Sequence, residues 1–427
     1  MVKLLIIADD FTGALDTGVQ FAAAGAGTRV LTGELPDCSR LSGEIEVLVL
    51  NAETRHLSGG EAYAIVYRAV RRAKEAGVPC IYKKTDSALR GNIGAELAAV
   101  YDAGGEKRLH FLPAFPQMGR TTRNAVHYID GIPVNESVFG KDPFEPVKHA
   151  SVLEIIAEQT AIVQHPMGAS LMNDEALPEG ILVYDSENVH QMRNIAKCLQ
   201  ERNELICCAG CAGFASVLAG LLGLCGTQPK LPVLTPRLLV ACGSVNPITV
   251  AQLDEAEAKG VTRIRLTAEQ KLDPAWYRSA EAKMLISEWH QGCEREGILI
   301  LDSNDPPESL ETRDYVFEHN ITLKELRLAI SRTIGHIVKD LLDDGLNATM
   351  MITGGDTLLG FMQYIGVTEL EPICEIEQGA VLFAFRYKEC SYHVISKSGG
   401  FGKTSFLKDL HQKLLIMQEE KINAEAI

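Results

Sequence analysis

Apolar and polar positions alternate along the chain in blocks that predict strands followed by helices. Leu4 to Ala8 is a short continuous apolar run, and the stretch from Ala14 to Ala24 that follows it has the composition of a helix. The same succession returns at Val78 to Lys83 and at Ile93 to Tyr101. Strands that alternate with helices in this way are typical of an α/β fold with a mainly parallel sheet.

A proline-rich segment, GTQPKLPVLTP at 226–236, separates two such series of elements. It has three prolines in eleven residues and no hydrophobic period, which is typical of a linker. The alternation begins afresh with a predicted strand at Leu238 to Ala241. We therefore predict two tandem α/β domains with mainly parallel sheets, at 1–228 and 237–427, joined by a linker at 229–236. An active-site cleft is expected between the domains.

Composition narrows the classes of partner. The 427 residues are 46% hydrophobic and carry a net charge of -15, which argues against nucleic acid or an anionic membrane as the main partner. No apolar stretch approaches the roughly 18 residues of a membrane-spanning helix. Most of the 11 cysteines lie in apolar runs, as in proteins of a reducing compartment. We predict a cytoplasmic protein that acts on small molecules, and the sequence leaves a homo-oligomer open.

Two adjacent carboxylates, Asp9 and Asp10, follow the first predicted strand directly. In an open α/β sheet, ligands bind where strands end and helices begin. Neighbouring carboxylates repel phosphate, but they suit sugar hydroxyls, a metal ion or a proton transfer. The alternative is an aspartate that caps the next helix beside a solvated neighbour.

Other strand ends of the first half carry cations together with further polar groups. Arg55 follows the third predicted strand, and Lys84, Asp86, Ser87 and Arg90 follow the next one. Arginine and lysine suit a carboxylate, whereas the carboxylate and hydroxyl side chains suit a polyol. Together they predict a site for a small hydroxy acid. For each cation the alternative is a surface salt bridge.

Strand ends of the second half are rich in glycine instead. Glycine lets the backbone approach an anion closely, and helix N-termini direct N–H groups at it, so several such turns favour a nucleotide-phosphate site. A plain structural turn is the alternative for each. The sequence GGFGKTS at 399–405 is not a standard P-loop, because Lys397 stands where that loop needs glycine. The turns are Gly243-Ser244, Thr353 to Thr357 and Ser396 to Gly402.

Asp356 follows Gly354 and Gly355 at a predicted helix start. A carboxylate there can accept a hydroxyl proton or hold Mg²⁺ near phosphates. The alternative is an aspartate that only caps the helix. No full set of metal ligands is assigned from the sequence.

Six ordered motifs are spread over both halves of the chain: ADDFTGA (8–14), KTDSALRGN (84–92), PAFPQMGR (113–120), ACGSVNP (241–247), TGGDT (353–357) and SKSGGFG (396–402). Together and in this order they resemble the motifs of the four-carbon acid sugar kinases. This resemblance implies that the N-terminal domain binds a tetronate-type acid, that the C-terminal domain binds ATP, and that the terminal hydroxyl is phosphorylated. The last motif contains Ser-Gly-Gly-Phe-Gly, where Ser-Gly-Asn-Phe-Gly is more usual in the family, so one polar side chain is missing.

The resemblance also implies roles for individual residues. Asp356 or one of the pair Asp9 and Asp10 would orient or deprotonate the acceptor hydroxyl, with Asp356 and Asp10 as our candidates. Predicted substrate-binding residues are Asp9, Asp10, Arg55, Lys84, Thr85, Asp86, Ser87 and Arg90. Predicted ATP-binding residues are Ser244, Gly354, Gly355, Asp356, Thr357, Gly399 and Gly400.

The expected activity is therefore an ATP- and Mg²⁺-dependent kinase of a four-carbon sugar acid. The stretch LDTGVQFA at 15–22 resembles kinases of D-threonate and D-erythronate more than those of 3-oxo-tetronates, which remain the alternative substrates. An alternative of another class is a sensor that binds a sugar acid without turnover. An oxidoreductase is disfavoured, because no Gly-x-Gly-x-x-Gly follows a predicted strand.

Overall fold

The structure, a computed structural model, describes residues 1–38, 41, 43–142, 145–169 and 176–425. The chain divides into two compact units, Met1–Pro229 and Lys230–Ile427. This division falls at the start of the segment 229–236 that the sequence suggests as a linker. The domain boundaries and the cleft expected between the domains stay predictions.

The first unit is built around parallel strands with helices between them, as the sequence predicts. Its helices are α1 (Phe11–Ala23), α2 (Gly59–Glu75), α3 (Ile93–Gly104), α4 (Val152–Ala157), α5 (Val189–Glu201) and α6 (Ala212–Leu221). Its strands are β1 (Leu4–Ala8), β2 (Thr28–Thr32), β3 (Val47–Asn51), β4 (Cys80–Lys84), β5 (Arg108–Leu112), β6 (Arg120–Arg123), β7 (Val126–Ile129), β8 (Ile132–Pro133), β9 (Gln164–Met167), β10 (Gly180–Tyr184) and β11 (Cys207–Gly210).

The main sheet of this unit has the order β2-β3-β1-β4-β11-β5-β10-β9, and all its neighbouring strands are parallel. Every residue of β1 and β3 is buried, because both faces of a parallel sheet are covered by helices. A small antiparallel sheet, β6-β7-β8, lies apart from it and turns at Asp130 and Gly131. β1 lies centrally between β3 and β4, so the ends of these three strands are neighbours.

The second unit repeats the alternation of strands and helices. Its helices are α7 (Pro247–Ala258), α8 (Ala268–Leu272), α9 (Ala280–Glu296), α10 (Glu311–Glu318), α11 (Leu323–Asp343), α12 (Gly355–Ile365) and α13 (Phe406–Glu425). Its strands are β12 (Leu238–Cys242), β13 (Thr262–Arg265), β14 (Ile298–Asp302), β15 (Thr349–Thr353), β16 (Glu369–Glu377), β17 (Ala380–Tyr387) and β18 (Cys390–Lys397).

The sheet of the second unit is mixed rather than parallel throughout. The strands β13-β14-β12-β15-β18 are parallel, whereas β18-β17-β16 form an antiparallel ribbon. β16 is not predicted from the sequence, because Pro372 and four glutamates interrupt its apolar pattern. The pairing of β16 with β17 shifts register between Pro372 and Cys374, a bulge that accommodates the proline. The fold is therefore α/β with a mostly parallel, mixed strand arrangement.

Within the described ranges, no helix is long and apolar enough to cross a membrane.

Candidate active site

The register of β3-β1-β4 brings polar residues of the first unit together at one sheet edge. Ala8 pairs with Asn51 on one side and with Lys84 on the other. Asp9 therefore emerges between the loops that follow β3 and β4. Its carbonyl oxygen accepts hydrogen bonds from the backbone N–H groups of Thr54 and Arg55, at 3.0 and 3.2 Å. The backbone thus fixes the side chains of Asp9 and Arg55 next to each other.

The guanidinium of Arg55 binds three of the predicted carboxylates. Its Nε and Nη2 lie 2.7 and 2.6 Å from Asp9 Oδ2. Nη1 lies 2.8 Å from Asp10 Oδ2, and Nη2 also lies 3.5 Å from Asp86 Oδ1. Asp9 is 2% exposed and Arg55 8%, so this is a buried charge cluster rather than a surface salt bridge. Within the structure, Arg55 holds these three carboxylates in place.

Neighbouring cations keep Asp9 and Asp86 ionised although both side chains are buried. Burial by itself would raise the pKa of Asp9, but Arg55, Lys84 and Lys83 outweigh it and lower that pKa. For Asp86, burial is likewise opposed by Arg90 and Arg55, which hold its pKa well below the usual value. Ionised carboxylates accept hydrogen bonds and donate none, so they suit the hydroxyls of a sugar acid.

Asp10 has two structural partners. It is the N-cap residue of α1, where its Oδ1 accepts a hydrogen bond from Gly13 N at 2.9 Å. Its Oδ2 forms the ion pair with Arg55 described above. Capping, the alternative that the sequence leaves open, is therefore observed for Asp10, and it occurs together with the charge contact.

The loop after β4 supplies the other predicted substrate residues. Arg90 binds Asp86 through Nε and Nη2, at 2.9 and 3.0 Å, and lies 3.2 Å from Asp142. Lys84 Nζ has a longer contact, 3.5 Å from Asp9 Oδ1. All three predicted cations thus have carboxylate partners within the unit, and Lys84 is the least tightly held of them.

Two buried polar atoms of this cluster have no hydrogen-bond partner in the described part of the chain: Asp9 Oδ1 and Thr85 Oγ1. Buried polar atoms are normally hydrogen-bonded, so an unsatisfied one marks a position where a ligand or a water molecule can complete the bonding. Both atoms belong to residues that the sequence predicts to bind substrate. A ligand hydroxyl at the ends of β1 and β4 could satisfy them.

Lys83 and His127, which are not among the predicted site residues, support this cluster. Lys83 Nζ lies 3.0 Å from Glu96 Oε2 and donates to the carbonyl oxygens of Ile7 and Lys84, at 3.2 and 2.6 Å. His127 Nε2 contacts Ser87 O at 2.9 Å and its Nδ1 contacts Thr122 Oγ1 at 3.0 Å. Burial lowers the pKa of His127 to about 4, so the ring is neutral. The signal in the sequence that could have indicated Lys83 is the presence of a lysine within the predicted strand at Val78 to Lys83.

In the second unit, the adjacent strands β12, β15 and β18 end at the three predicted glycine turns. Cys242 pairs with Thr353, and Thr353 pairs with Lys397. The turns that begin at Gly243, Gly354 and Ser398 therefore lie side by side. The sequence predicted each turn separately, and the parallel register brings them together.

Close packing explains two of these glycines. A Cβ atom at Gly243 would lie 1.9 Å from Thr357 Oγ1, and one at Gly399 would lie 2.6 Å from Ser244 Oγ. Both distances are shorter than a normal van der Waals contact, so a side chain at either position would force the neighbouring hydroxyl to move. Ser244 and Thr357 thus lie against the glycine turns, and Ser244, Thr357 and Gly399 are among the residues predicted to bind ATP.

The turns present backbone donors. The N–H groups of Gly399 and Gly400 donate no hydrogen bond to any described residue. α12 begins after Gly354, whose φ of +105° favours glycine, and the first N–H groups of a helix lack partners inside that helix. Unused N–H groups at a helix N-terminus are suited to bind an anion such as phosphate.

Asp356 lies in the first turn of α12, where Gly354 is the N-cap residue, so Asp356 does not cap the helix. Its Oδ2 lies 3.0 Å from Arg327 Nε of α11. Among the residues that the structure describes, no three His, Cys, Asp or Glu side chains cluster as metal ligands.

Two family models match the chain. A sugar-binding N-terminal domain matches residues 4–218, and a nucleotide-binding C-terminal domain matches residues 239–407. The buried charge cluster around Arg55 lies within the first match, and the glycine turns lie within the second.

Similar proteins cover nearly the whole chain. A D-threonate kinase of Salmonella typhimurium is 30% identical over 96% of this chain and 97% of its own length. A D-erythronate kinase of Heliobacterium modesticaldum is 24% identical over 87% of this chain and 87% of its own length. A solved structure from Salmonella typhimurium has a TM-score of 0.76 with this chain at 21% sequence identity. The match covers 95% of this chain and 98% of that one, and the similarity concerns the fold alone.

Proposed function

The chain belongs to the four-carbon acid sugar kinase family, and we propose that it transfers the γ-phosphoryl group of ATP to the terminal hydroxyl of D-threonate or D-erythronate. D-threonate is the first choice, because the relative that is 30% identical bears that activity in its name. The observation that carries the proposal is the division of chemistry between the two units. The first unit has buried carboxylates and two buried polar atoms without a hydrogen-bond partner, and the second has backbone N–H groups without an acceptor at its glycine turns.

In this proposal the first unit holds the sugar acid. Asp9 Oδ1 and Thr85 Oγ1 are the unsatisfied atoms that would bond its hydroxyls. Lys84 is the best partner for the substrate carboxylate, because its internal contact is long whereas Arg55 and Arg90 are held at 2.6 to 3.0 Å. Arg55, Asp86, Ser87 and Arg90 would shape the site from behind these groups.

The nucleotide would bind as its magnesium complex in the second unit. Its phosphates would lie against the N–H groups of Gly354, Gly355, Gly399 and Gly400, with Ser244 and Thr357 beside them. Backbone donors of this kind stabilise the charge that spreads over the transferred phosphoryl group. Because phosphoryl transfer depends mostly on positioning and charge stabilisation, a general base adds only part of the rate.

Two carboxylates are candidates for orienting the acceptor hydroxyl. Asp10 is held by Gly13 N and Arg55, so its oxygens are well oriented. Asp356 lies among the predicted nucleotide residues and pairs with Arg327. We favour Asp10 for the hydroxyl and Asp356 for the magnesium-nucleotide complex.

An assay of ADP release with D-threonate, D-erythronate, their L-forms and 3-oxo-tetronates tests the substrate class. We expect turnover with D-threonate or D-erythronate. Turnover with a 3-oxo-tetronate alone would support the alternative kinase activity. Binding of an acid without any ADP release would support the sensor.

Single variants separate the two carboxylates. Asp10→Asn should lower kcat by about 10²-fold or more if Asp10 orients or deprotonates the hydroxyl. Asp356→Asn should mainly raise the KM for the magnesium-nucleotide complex. Asp314→Asn, at an exposed position of α10, is the control and should change neither constant. Unchanged kinetics in both site variants would contradict these assignments.

A further inference from the structure

Lys397 is the last residue of β18 and directly precedes the turn at 398–402. It is 1% exposed. Its Nζ donates a hydrogen bond to Ser398 O at 3.1 Å and lies 3.4 Å from Thr249 Oγ1 of α7. The ammonium also lies 5.4 Å from the centre of the Phe406 ring, within cation–π range. The charged end of this side chain is therefore buried beneath the glycine turn.

The other buried lysines of the described chain are paired with carboxylates. Lys83 pairs with Glu96, Lys84 with Asp9 and Lys271 with Asp305. Lys397 forms no ion pair with any carboxylate of the described ranges. A buried, unpaired ammonium is costly, so its persistence calls for an anionic partner that the chain does not supply.

The groups that face Lys397 from neighbouring elements do not cancel its charge. Cys242 of β12 has a thiol whose pKa is raised by burial, so it stays protonated and neutral. Thr249 of α7 and Phe406 of α13 are uncharged. Burial lowers the pKa of Lys397 to about 8, so the ammonium is protonated at neutral pH and loses its proton in mild alkali.

The hydrogen bonds around Lys397 orient the turn. Nζ holds the carbonyl oxygen of Ser398, and Thr249 Oγ1 donates to the carbonyl oxygen of Gly399 at 2.8 Å. In a trans peptide the C=O and N–H bonds point in opposite directions. Holding these two carbonyl oxygens on the lysine side therefore directs the N–H groups of Gly399 and Gly400 away from it. Those are the N–H groups without a protein acceptor.

We propose that Lys397 is a positioning residue for the polyphosphate of the nucleotide. It fixes the amide groups of the turn toward the phosphates and places an uncancelled positive charge beneath them. The proposal rests on the proposed function, since it takes the turn at 398–402 as the phosphate site. Lys403, two positions beyond Phe401 and exposed, differs from it in having its charge in solvent.

Nucleotide binding to the full chain, measured by calorimetry without sugar acid, tests the proposal. Lys397→Met should weaken ADP and ATP roughly tenfold or more, as expected for loss of a charge-assisted contact, and leave adenosine affinity unchanged. Lys403→Met is the matched control and should change ADP affinity less than threefold. Equal ADP affinity in the wild type and Lys397→Met would overturn the proposal, and so would equal weakening by both substitutions.

A second measurement needs no variant at position 397. ADP affinity of the wild type should fall as pH rises from 7 to 9.5, because the protonated lysine favours the anion and is lost as pH passes its pKa. A flat profile would overturn the proposal even if Lys397→Met fails to fold. If the wild type binds no ADP or ATP at any pH, the proposed function itself fails, and this outcome is distinct from a wild type that binds ADP independently of residue 397.

Discussion

At the scale of single residues, Arg55 organises the first unit's cluster. One guanidinium contacts Asp9, Asp10 and Asp86, which come from the loops after β1 and β4. Burial lowers the pKa of Arg55, but the three carboxylates outweigh it and raise that pKa well above the usual value. The arginine therefore stays charged, and its removal would leave several carboxylates close together without their shared cation.

Replacing this cation should destabilise the protein. Arg55→Met is expected to lower the free energy of unfolding by about 3 kcal/mol, because breaking a buried ion pair leaves an uncompensated buried charge. Urea unfolding at pH 7 measures the difference. Arg123→Met is the control, since Arg123 and Glu187 are both about half exposed and 3.8 Å apart. It should change the free energy of unfolding by less than about 0.5 kcal/mol.

The free energy of unfolding of the wild type and of Arg55→Met should depend differently on pH. Asp9 and Asp86 have lowered pKa values in the folded protein, so the stability they contribute is present above their usual pKa of 3.8 and is lost as pH falls below it. Without Arg55 these pKa values rise, and the loss of stability below pH 3.8 becomes shallower. A variant as stable as the wild type at pH 7 would contradict the assigned role.

At the scale of elements, the parallel register turns separate motifs into one surface. β12, β15 and β18 are neighbours, and each ends at a glycine turn followed by a helix. The contacts between turns are close: Gly243 packs on Thr357, and Gly399 packs on Ser244. The geometry of each turn therefore depends on the small residue in the next.

A single methyl group should disturb this surface. Gly243→Ala is expected to weaken ADP binding at least tenfold, because its Cβ would lie 1.9 Å from Thr357 Oγ1 and force the two turns apart. Calorimetric titration with ADP measures the loss. Gly292→Ala in α9 has open space around its Cβ and is the control, with unchanged affinity and up to about 1 kcal/mol added stability. Normal ADP affinity in Gly243→Ala would show that phosphates do not depend on this turn.

At the scale of the whole molecule, each compact unit has its own hydrophobic core. Leu5, Val66 and Leu97 belong to a buried cluster of the first unit, and Val240 and Leu382 belong to one of the second. Residues 225–230 are exposed and lie outside helices and strands. Exposed segments of this kind are preferred sites of proteolysis.

Limited trypsin digestion should therefore cleave the native chain after Lys230. The expected products are two resistant fragments, 1–230 and 231–427, identified by mass spectrometry. Lys230→Gln removes the cleavage site and should slow the appearance of both fragments. Accumulation of other fragments while the bond after Lys230 stays intact would contradict separate cores joined by this segment.

The sequence by itself determined most of the local structure. Apolar runs predicted β1, β4 and β12 to within two residues, and the predicted helix at Ile93 to Tyr101 correctly placed the start of α3. These features depend on neighbours in the chain, so a local pattern carries them. The order of six motifs also identified the family, which the matches over both halves confirm.

Only the tertiary structure decided which polar groups meet and what they do for one another. Arg55 and Lys84 were predicted to bind a substrate carboxylate, and the fold shows that both already contact Asp9. Lys397 was noted only as the residue that breaks a P-loop, yet it is buried without a carboxylate partner in the described ranges. Both facts depend on contacts between residues distant in sequence and on exclusion of water, and neither quantity is encoded in a local pattern of residues.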